Sequence, residues 1–167
     1  MNTWVLSSLY WIHILATVAW LGGQAALLLW VLPLAGRYLA EEMRLPLLAQ
    51  ALRRAMPAQW FSAMLLLATG MFQMSANANY EGFLAISNRW AVAILFKHLA
   101  YAAMLGVTAV LGGVYLPQLE RAALLAQHNR PAPQGQSAYR RSIQILWVNL
   151  GLGVIVLALT ALARASS

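Results

Sequence analysis

The chain has 167 residues, of which 62% are hydrophobic and only 9% are charged. Soluble domains carry roughly 25% charged residues, so this composition excludes an ordinary soluble protein and indicates a membrane protein. The net charge of +7 raises nucleic-acid binding as an alternative. Eight of the eleven basic residues lie in two connections between apolar stretches, however, and we expect no nucleic-acid partner. The chain contains no cysteine, which excludes disulfides, thiolate metal sites and iron–sulfur clusters.

Four apolar stretches are each long enough for a membrane-crossing helix, which needs about 20 residues. They predict spans at about residues 5–34, 57–75, 90–117 and 142–163. The strands of a membrane barrel need only about ten residues, so segments of this length favour helices. The predicted fold is all-α: one integral membrane domain over residues 1–167, built as an up-down-up-down four-helix bundle in a lipid bilayer.

The first span contains a histidine within the apolar run WIHILATVAWLGG, residues 11–23. Ionisable side chains inside a membrane are costly and are usually functional, so His13 is a candidate ligand. Trp4 marks the outer end of the span, nine residues before His13. A helix rises about 1.5 Å per residue, which places His13 about 13 Å along the span.

Basic residues are concentrated in two of the three connections. Short loops rich in Lys and Arg remain in the cytoplasm, so loops 37–54 and 121–141 are predicted to be cytoplasmic and both termini outside. The composition of residues 120–139 predicts a flexible cytoplasmic loop. The arginines of the two loops are Arg37, Arg44, Arg53, Arg54, Arg121, Arg130, Arg140 and Arg141.

The second span ends in GMFQM, and an outer connection over residues 76–89 follows it. Met71 and Met74 suggest thioether ligands for copper(I), although methionine is also an ordinary filler of apolar helices. The connection mixes Asn, Tyr and Phe with the short apolar run FLAI. It is consistent with a lid over the outer mouth of the bundle, with a substrate site, or with a plain interfacial segment.

The third span repeats the spacing of the first, because Arg89 and His98 are also nine residues apart. The two spans run in the same direction, so the two histidines are predicted at equal depth. The first and third helices of an up-down-up-down bundle are diagonal. Two imidazoles that face each other across a bundle suit the collinear axial bonds of haem iron. His13 and His98 are therefore the predicted metal ligands, with haem b as the cofactor.

Residues near the two histidines are candidate contacts to such a ring. Trp20 and Tyr101 share helix faces with the histidines, the small residue Gly106 leaves room for a flat ring, and cationic side chains suit haem propionates. The predicted cofactor-binding residues are His13, His98, Trp20, Tyr101, Gly106, Arg89 and Lys97.

Each of these neighbours also has an ordinary structural interpretation. Small residues let membrane helices approach closely, and Arg89 suits lipid headgroups at the interface. Lys97 suits snorkelling to the interface or an ion pair with Glu81. His128 lies in a polar loop, where a solvated histidine is expected.

The two halves of the chain share a weak positional repeat. A proline follows His13 after twenty residues and His98 after nineteen. An Arg-Arg pair precedes a tryptophan by six residues in both halves, at Trp60 and Trp147. We interpret this as two pseudo-repeated helical hairpins in parallel orientation, related by a twofold axis along the membrane normal. The alternative is that topology alone places arginines and tryptophans at these positions.

The run HILATVAWLGG at 13–23 and the KHL at 97–99 resemble the CopD-like superfamily of bacterial four-helix membrane proteins. That superfamily includes the copper-resistance protein D domain and the HemJ-type protoporphyrinogen oxidases. The resemblance implies either copper uptake across the inner membrane or haem b binding with oxidation of protoporphyrinogen. By position, His13 and His98 match the membrane histidines of these families.

The sequence favours a b-type haem protein in electron transfer or redox chemistry at the outer side of the membrane. Two axial imidazoles leave iron no open position, so an electron carrier is favoured over a stand-alone enzyme, and no catalytic residue is predicted. The expected partner is a quinol or a redox protein, with further subunits or a second copy as alternatives. Copper handling, HemJ-like oxidation and a structural subunit of a larger complex remain the alternative functions.

Overall fold

The computed structural model describes residues 2–77, 79–82, 86, 88–128 and 130–165, and no strand occurs among them. Four long helices are apolar enough to cross a membrane: α1 (Thr3–Tyr38), α2 (Glu41–Ser75), α3 (Arg89–Gln127) and α4 (Gly135–Ala165). The predicted all-α four-helix fold is confirmed. The connections after Tyr38 and Gln127 lie at one end of the bundle, here called the arginine end, and the opposite end is called the histidine end.

The helices are longer than the apolar stretches that predict them. Of the described residues in the loop predicted over 120–139, only 128 and 130–134 lie outside the helices. The segment LERAALLAQ that continues α3 is rich in strong helix formers. Gly135, the first residue of α4, lies so close to Ala122 and Leu45 that an added Cβ would be 3.0 Å from each. Packing therefore extends both helices beyond the apolar spans.

α1 and α3 share an irregularity just before a proline. Each changes from α to π geometry for five residues, at Leu27–Val31 before Pro33 and at Leu111–Tyr115 before Pro117. A proline inside a helix lacks an amide hydrogen and clashes with the carbonyl four residues earlier. That carbonyl lies inside the π segment in both helices, where the wider i→i+5 turn gives it room. Both features recur 84 residues apart, which supports the pseudo-repeat.

α1 has an additional π segment, Val18–Gly22, for which α3 has no counterpart. A π turn contains one residue more than an α turn. The extra segment lies between His13 and Pro33, where the first half has twenty residues against nineteen in the second. The π segment therefore accounts for the one-residue mismatch between the halves.

The helices pair as antiparallel hairpins, with α1 along α2 and α3 along α4. One apolar cluster fills the arginine end, a second surrounds Trp20 in the middle, and a third packs Met74 and Trp90 near the histidine end. Large apolar side chains cover the outer surface, as expected for a lipid-facing bundle. The exposed tryptophans Trp30, Trp60 and Trp147 lie in the arginine-end half of the bundle.

Candidate functional site

His13 is held by a residue of the neighbouring helix. Its Nδ1 lies 2.7 Å from the hydroxyl of Thr69. That hydroxyl donates its own proton to the carbonyl of Leu65 at 2.6 Å. The Thr69 oxygen therefore accepts from the Nδ1–H of His13, and the lone pair of the neutral ring lies on Nε2. The Thr69 hydroxyl and the backbone carbonyl of Leu65 thus set the tautomer of His13.

His98 is held by its own helix. Its Nδ1 lies 2.7 Å from the carbonyl oxygen of Ile94, one turn earlier in α3. A carbonyl only accepts, so Nδ1 carries the hydrogen and the lone pair of the neutral ring is again on Nε2. Metal-binding histidines characteristically donate their other ring N–H in this way. Both half-buried histidines thus have the tautomer that suits a ligand.

Trp20 and Tyr101 form a contact between the two hairpins, on the arginine-end side of the histidines. Their ring centroids are 5.8 Å apart, with an interplanar angle of 75°. Tyr101 also donates a hydrogen bond to the carbonyl of Ala63 in α2 at 2.6 Å. Trp20 is fully buried and packs with Ala63 and Met104. The pair closes the middle of the bundle below the histidines.

The histidine end is rich in positive charge. The Lys97 ammonium lies near enough to His13 for mutual charge repulsion, and Arg164 repels Lys97 in the same way. The Arg164 guanidinium also lies over the ring of Tyr10, 5.0 Å from its centroid. Two helices therefore bring cationic side chains to the level of the histidines, and an anionic group there would be stabilised.

Sequence reasoning did not select Thr69, Arg164 or Gln73, whose amide donates to the carbonyl of Leu9 at 3.2 Å. The sequence does single out Arg164, because it is the one charged residue in the printed sequence after the fourth apolar stretch. Thr69 carries none, since serine and threonine occur throughout membrane helices with bonds to their own backbone.

Two predicted cofactor contacts lie on the surface of the described chain. Arg89 is exposed at the first residue of α3, where the Asn88 side chain caps the helix by accepting from the amide of Ala91. Gly106 is also exposed, and an added Cβ would have no atom within 4 Å. Their role in cofactor binding stays a prediction. The apolar run of the proposed outer lid includes residues 83–85, which lie outside the described residues.

The other metal candidates do not converge. Met71 is exposed, whereas Met74 is buried against Trp90 and other apolar side chains. His128 is exposed and bonds the carbonyl of Leu124. Among the described residues, no group of three or more His, Cys, Asp or Glu side chains could hold a metal ion.

The comparisons with known proteins agree with this architecture. The family model described as copper resistance protein D matches residues 49–163, which extend from α2 to the end of α4. The chain belongs to the copper resistance protein D family. The match includes Thr69 and His98, and α1 with His13 precedes it. Neither the curated proteins nor the solved structures yield a match.

This copper resistance protein D family member is a membrane protein with four candidate spans. The family description connects it with copper, which was the alternative to haem in the sequence interpretation.

Proposed function

We propose that His13 and His98 would together hold one haem b. The observation that supports this proposal most is the matched hydrogen bonding of the two imidazoles. Each donates Nδ1–H to an oxygen acceptor, and each keeps the lone pair of its neutral ring on Nε2. Two ligands of this kind on separate hairpins fit a group that itself supplies four nitrogen ligands.

The charges near the histidines favour haem over a bare copper ion. Lys97 and Arg164 repel a cation at this level, whereas they attract the two carboxylates of a haem. Soft thioether or thiolate ligands would favour copper(I). Met71 and Met74 diverge, and the chain contains no cysteine.

The proposed role is electron transfer rather than catalysis. When bound, haem b supplies a one-electron redox couple. The residues of the chain position it: Thr69 and the Ile94 carbonyl orient the two imidazoles, Lys97 and Arg164 hold anionic carboxylates, and Trp20 with Tyr101 separates the site from the arginine end. Quinol or a redox protein is the proposed electron donor or acceptor.

The same proposal includes an orientation in the membrane. The two arginine-rich connections, 37–54 and 121–141, meet at the arginine end, which we assign to the cytoplasm of a bacterium under the positive-inside rule. The histidine end and both termini then lie outside the inner membrane. Redox chemistry would thus take place near the outer face.

A visible spectrum of the purified protein tests the haem proposal. A reduced low-spin haem b spectrum with one haem per chain is expected. It should be lost in His13→Ala and in His98→Ala but retained in His128→Ala, which removes the exposed loop histidine as a matched control. A colourless protein, or a haem that survives both substitutions, would contradict it.

The second candidate function is copper handling, which the family description favours. Metal analysis of the same samples decides between the two candidates. Stoichiometric copper that disappears with His13→Ala, in a protein without a haem spectrum, supports this alternative. Protoporphyrinogen oxidation by the pure protein would instead support the HemJ-like alternative. A folded protein that binds neither group would leave the role of a structural subunit.

A further inference from the structure

A second polar region lies inside the membrane bundle, away from the histidines. Five buried side chains have at least one nitrogen or oxygen atom for which the described residues provide no hydrogen-bond partner. Gln24 is fully buried and has no partner for either atom of its amide. Unpartnered polar atoms in a protein interior are costly, and a bound water or ion is one of the explanations for them. The five residues are Trp20, Gln24, Gln59, Ser142 and Asn149.

Contacts along the helices place Gln24 opposite Asn149. Leu21 occupies the space that a Cβ on Gly153 would need, which fixes how α1 and α4 pack. One helical turn from Leu21 and Gly153 toward the arginine end, α1 reaches Gln24 and α4 reaches Asn149. About one more turn along, Leu28 and Leu146 belong to the same apolar cluster. Gln24 and Asn149 therefore lie at the same depth.

α2 and α3 each add a polar side chain at this level. Two hydrogen bonds set the register of α1 and α2, from Gln73 to Leu9 and from His13 to Thr69. Gln24 lies eleven residues after His13 in α1, and Gln59 lies ten residues before Thr69 in α2. Because the two helices are antiparallel, Gln59 and Gln24 lie at the same depth. On α3, the hydroxyl of Thr108 accepts a hydrogen bond of 2.9 Å from the Asn149 amide. Each of the four helices thus contributes one buried polar residue, together called the polar layer: Gln24, Gln59, Thr108 and Asn149.

The unpartnered atoms combine acceptors with donors and carry no charge. Gln24, Gln59 and Asn149 each offer an unpartnered amide oxygen, while Gln24 and Trp20 also offer N–H groups. Ser142 lies two helical turns from Asn149 toward the arginine end, on the same face of α4, and its hydroxyl is buried without a partner. A cation or an anion would find no opposite charge here. A small neutral molecule that both donates and accepts matches the set.

We propose that the polar layer is a binding site for a cluster of water molecules inside the membrane. Buried waters in proteins typically make about three hydrogen bonds to polar groups that lack other partners. The site extends from the polar layer to the indole N–H of Trp20. Trp20 and its ring contact with Tyr101 separate it from the histidines. The bundle thus has a polar region in each half, divided by one aromatic layer, which shortens the apolar distance across the membrane.

Radiolytic hydroxyl-radical labelling of the full chain in lipid nanodiscs tests this proposal, because radicals formed from bound water oxidise adjacent buried side chains. The chain offers two matched pairs. Trp20 and Met104 lie beside the polar layer at 0% and 3% exposure, and Trp90 and Met74 lie in an apolar cluster, each at 5%. We expect severalfold faster oxidation of Trp20 than of Trp90, and of Met104 than of Met74. Equal or reversed rates within the pairs would overturn the proposal.

A substitution then tests whether the polar layer holds the water. Gln24→Leu removes both unpartnered atoms of the Gln24 amide, so the oxidation rate of Trp20 should fall to that of Trp90. Gln144→Leu, which replaces an exposed glutamine of α4, should leave the rate of Trp20 unchanged. A folded Gln24→Leu variant in which Trp20 remains as reactive as in the unaltered chain would also overturn the proposal. The comparison within the unaltered chain keeps its meaning if the variant does not fold.

Discussion

α1 and α3 occupy equivalent places in the two hairpins, and their differences are informative. Both contain a histidine and a proline preceded by a π segment. α1 has a second π segment, and its histidine bonds Thr69 of α2, whereas His98 bonds the carbonyl of Ile94 within α3. The first histidine is oriented by tertiary packing and the second by its own helix. A change of side chain can therefore uncouple His13 but not His98 from its acceptor.

The largest expected effect is the difference between deleting a residue from a π segment and deleting one from a regular α-helix. Deleting Ala19 removes one exposed residue from the π segment Val18–Gly22, so that an α turn can replace it with both flanks still in register. Deleting Ala102, exposed in the regular part of α3, rotates all later residues by about 100°. We expect the first variant to fold and the second to be lost, as measured by size-exclusion chromatography and helicity in detergent. Equal behaviour of the two would contradict the insertion interpretation of the π segment.

The next effect compares two close approaches between the hairpins. A Cβ on Gly153 would collide with Leu21 of α1, whereas one on Gly112 of α3 would lie 3.0 Å from the flexible thioether of Met56. Gly153→Ala should cost about 1–3 kcal/mol of the free energy of unfolding, the usual range for overpacking. Gly112→Ala should cost less, because the methionine end can move. Thermal unfolding in detergent measures both variants, and Gly151→Ala, in open space, is the control.

A smaller effect concerns the orientation of His13. Thr69→Val removes the acceptor of the Nδ1–H and should weaken haem binding about 10- to 100-fold, as loss of a partner behind a ligand usually does. Thr160→Val removes a hydroxyl that donates to the carbonyl of Val156 within its own helix, so it is the matched control. Haem titration measures both affinities. An unchanged affinity in Thr69→Val would show that the His13 hydrogen bond does not support ligation.

The smallest expected effect concerns the contact between the hairpins. Tyr101→Phe removes the hydrogen bond to the Ala63 carbonyl but keeps the ring against Trp20. A net loss of about 0.5–1.5 kcal/mol in the free energy of unfolding is expected for one hydrogen bond. Chemical denaturation of the reconstituted protein measures it. A much larger loss would mean that the bond, rather than the ring contact, joins the hairpins.

The amino-acid sequence by itself determined the four spans and the two histidines within them. An apolar run of 20 or more residues has few alternatives to a membrane helix, and no other histidine lies within a span. The repeated proline positions also follow from the sequence, because a helical proline imposes its own distortion. The resemblance carried by residues 13–23 and 97–99 led to the family that the family model also shows.

Only the tertiary structure decided which faces of the helices meet. In a soluble helix the apolar face points inward, but in lipid both the core and the outer surface are apolar, so the pattern carries little information about the inward face. Gly106, predicted to line a cofactor, is exposed, and Gln24 lies in the core with Asn149. The partnership of His13 with Thr69, across 56 residues of sequence, likewise depends on helix register. That register is set by close packing at sites such as Gly153 and Leu21, which hydropathy does not encode.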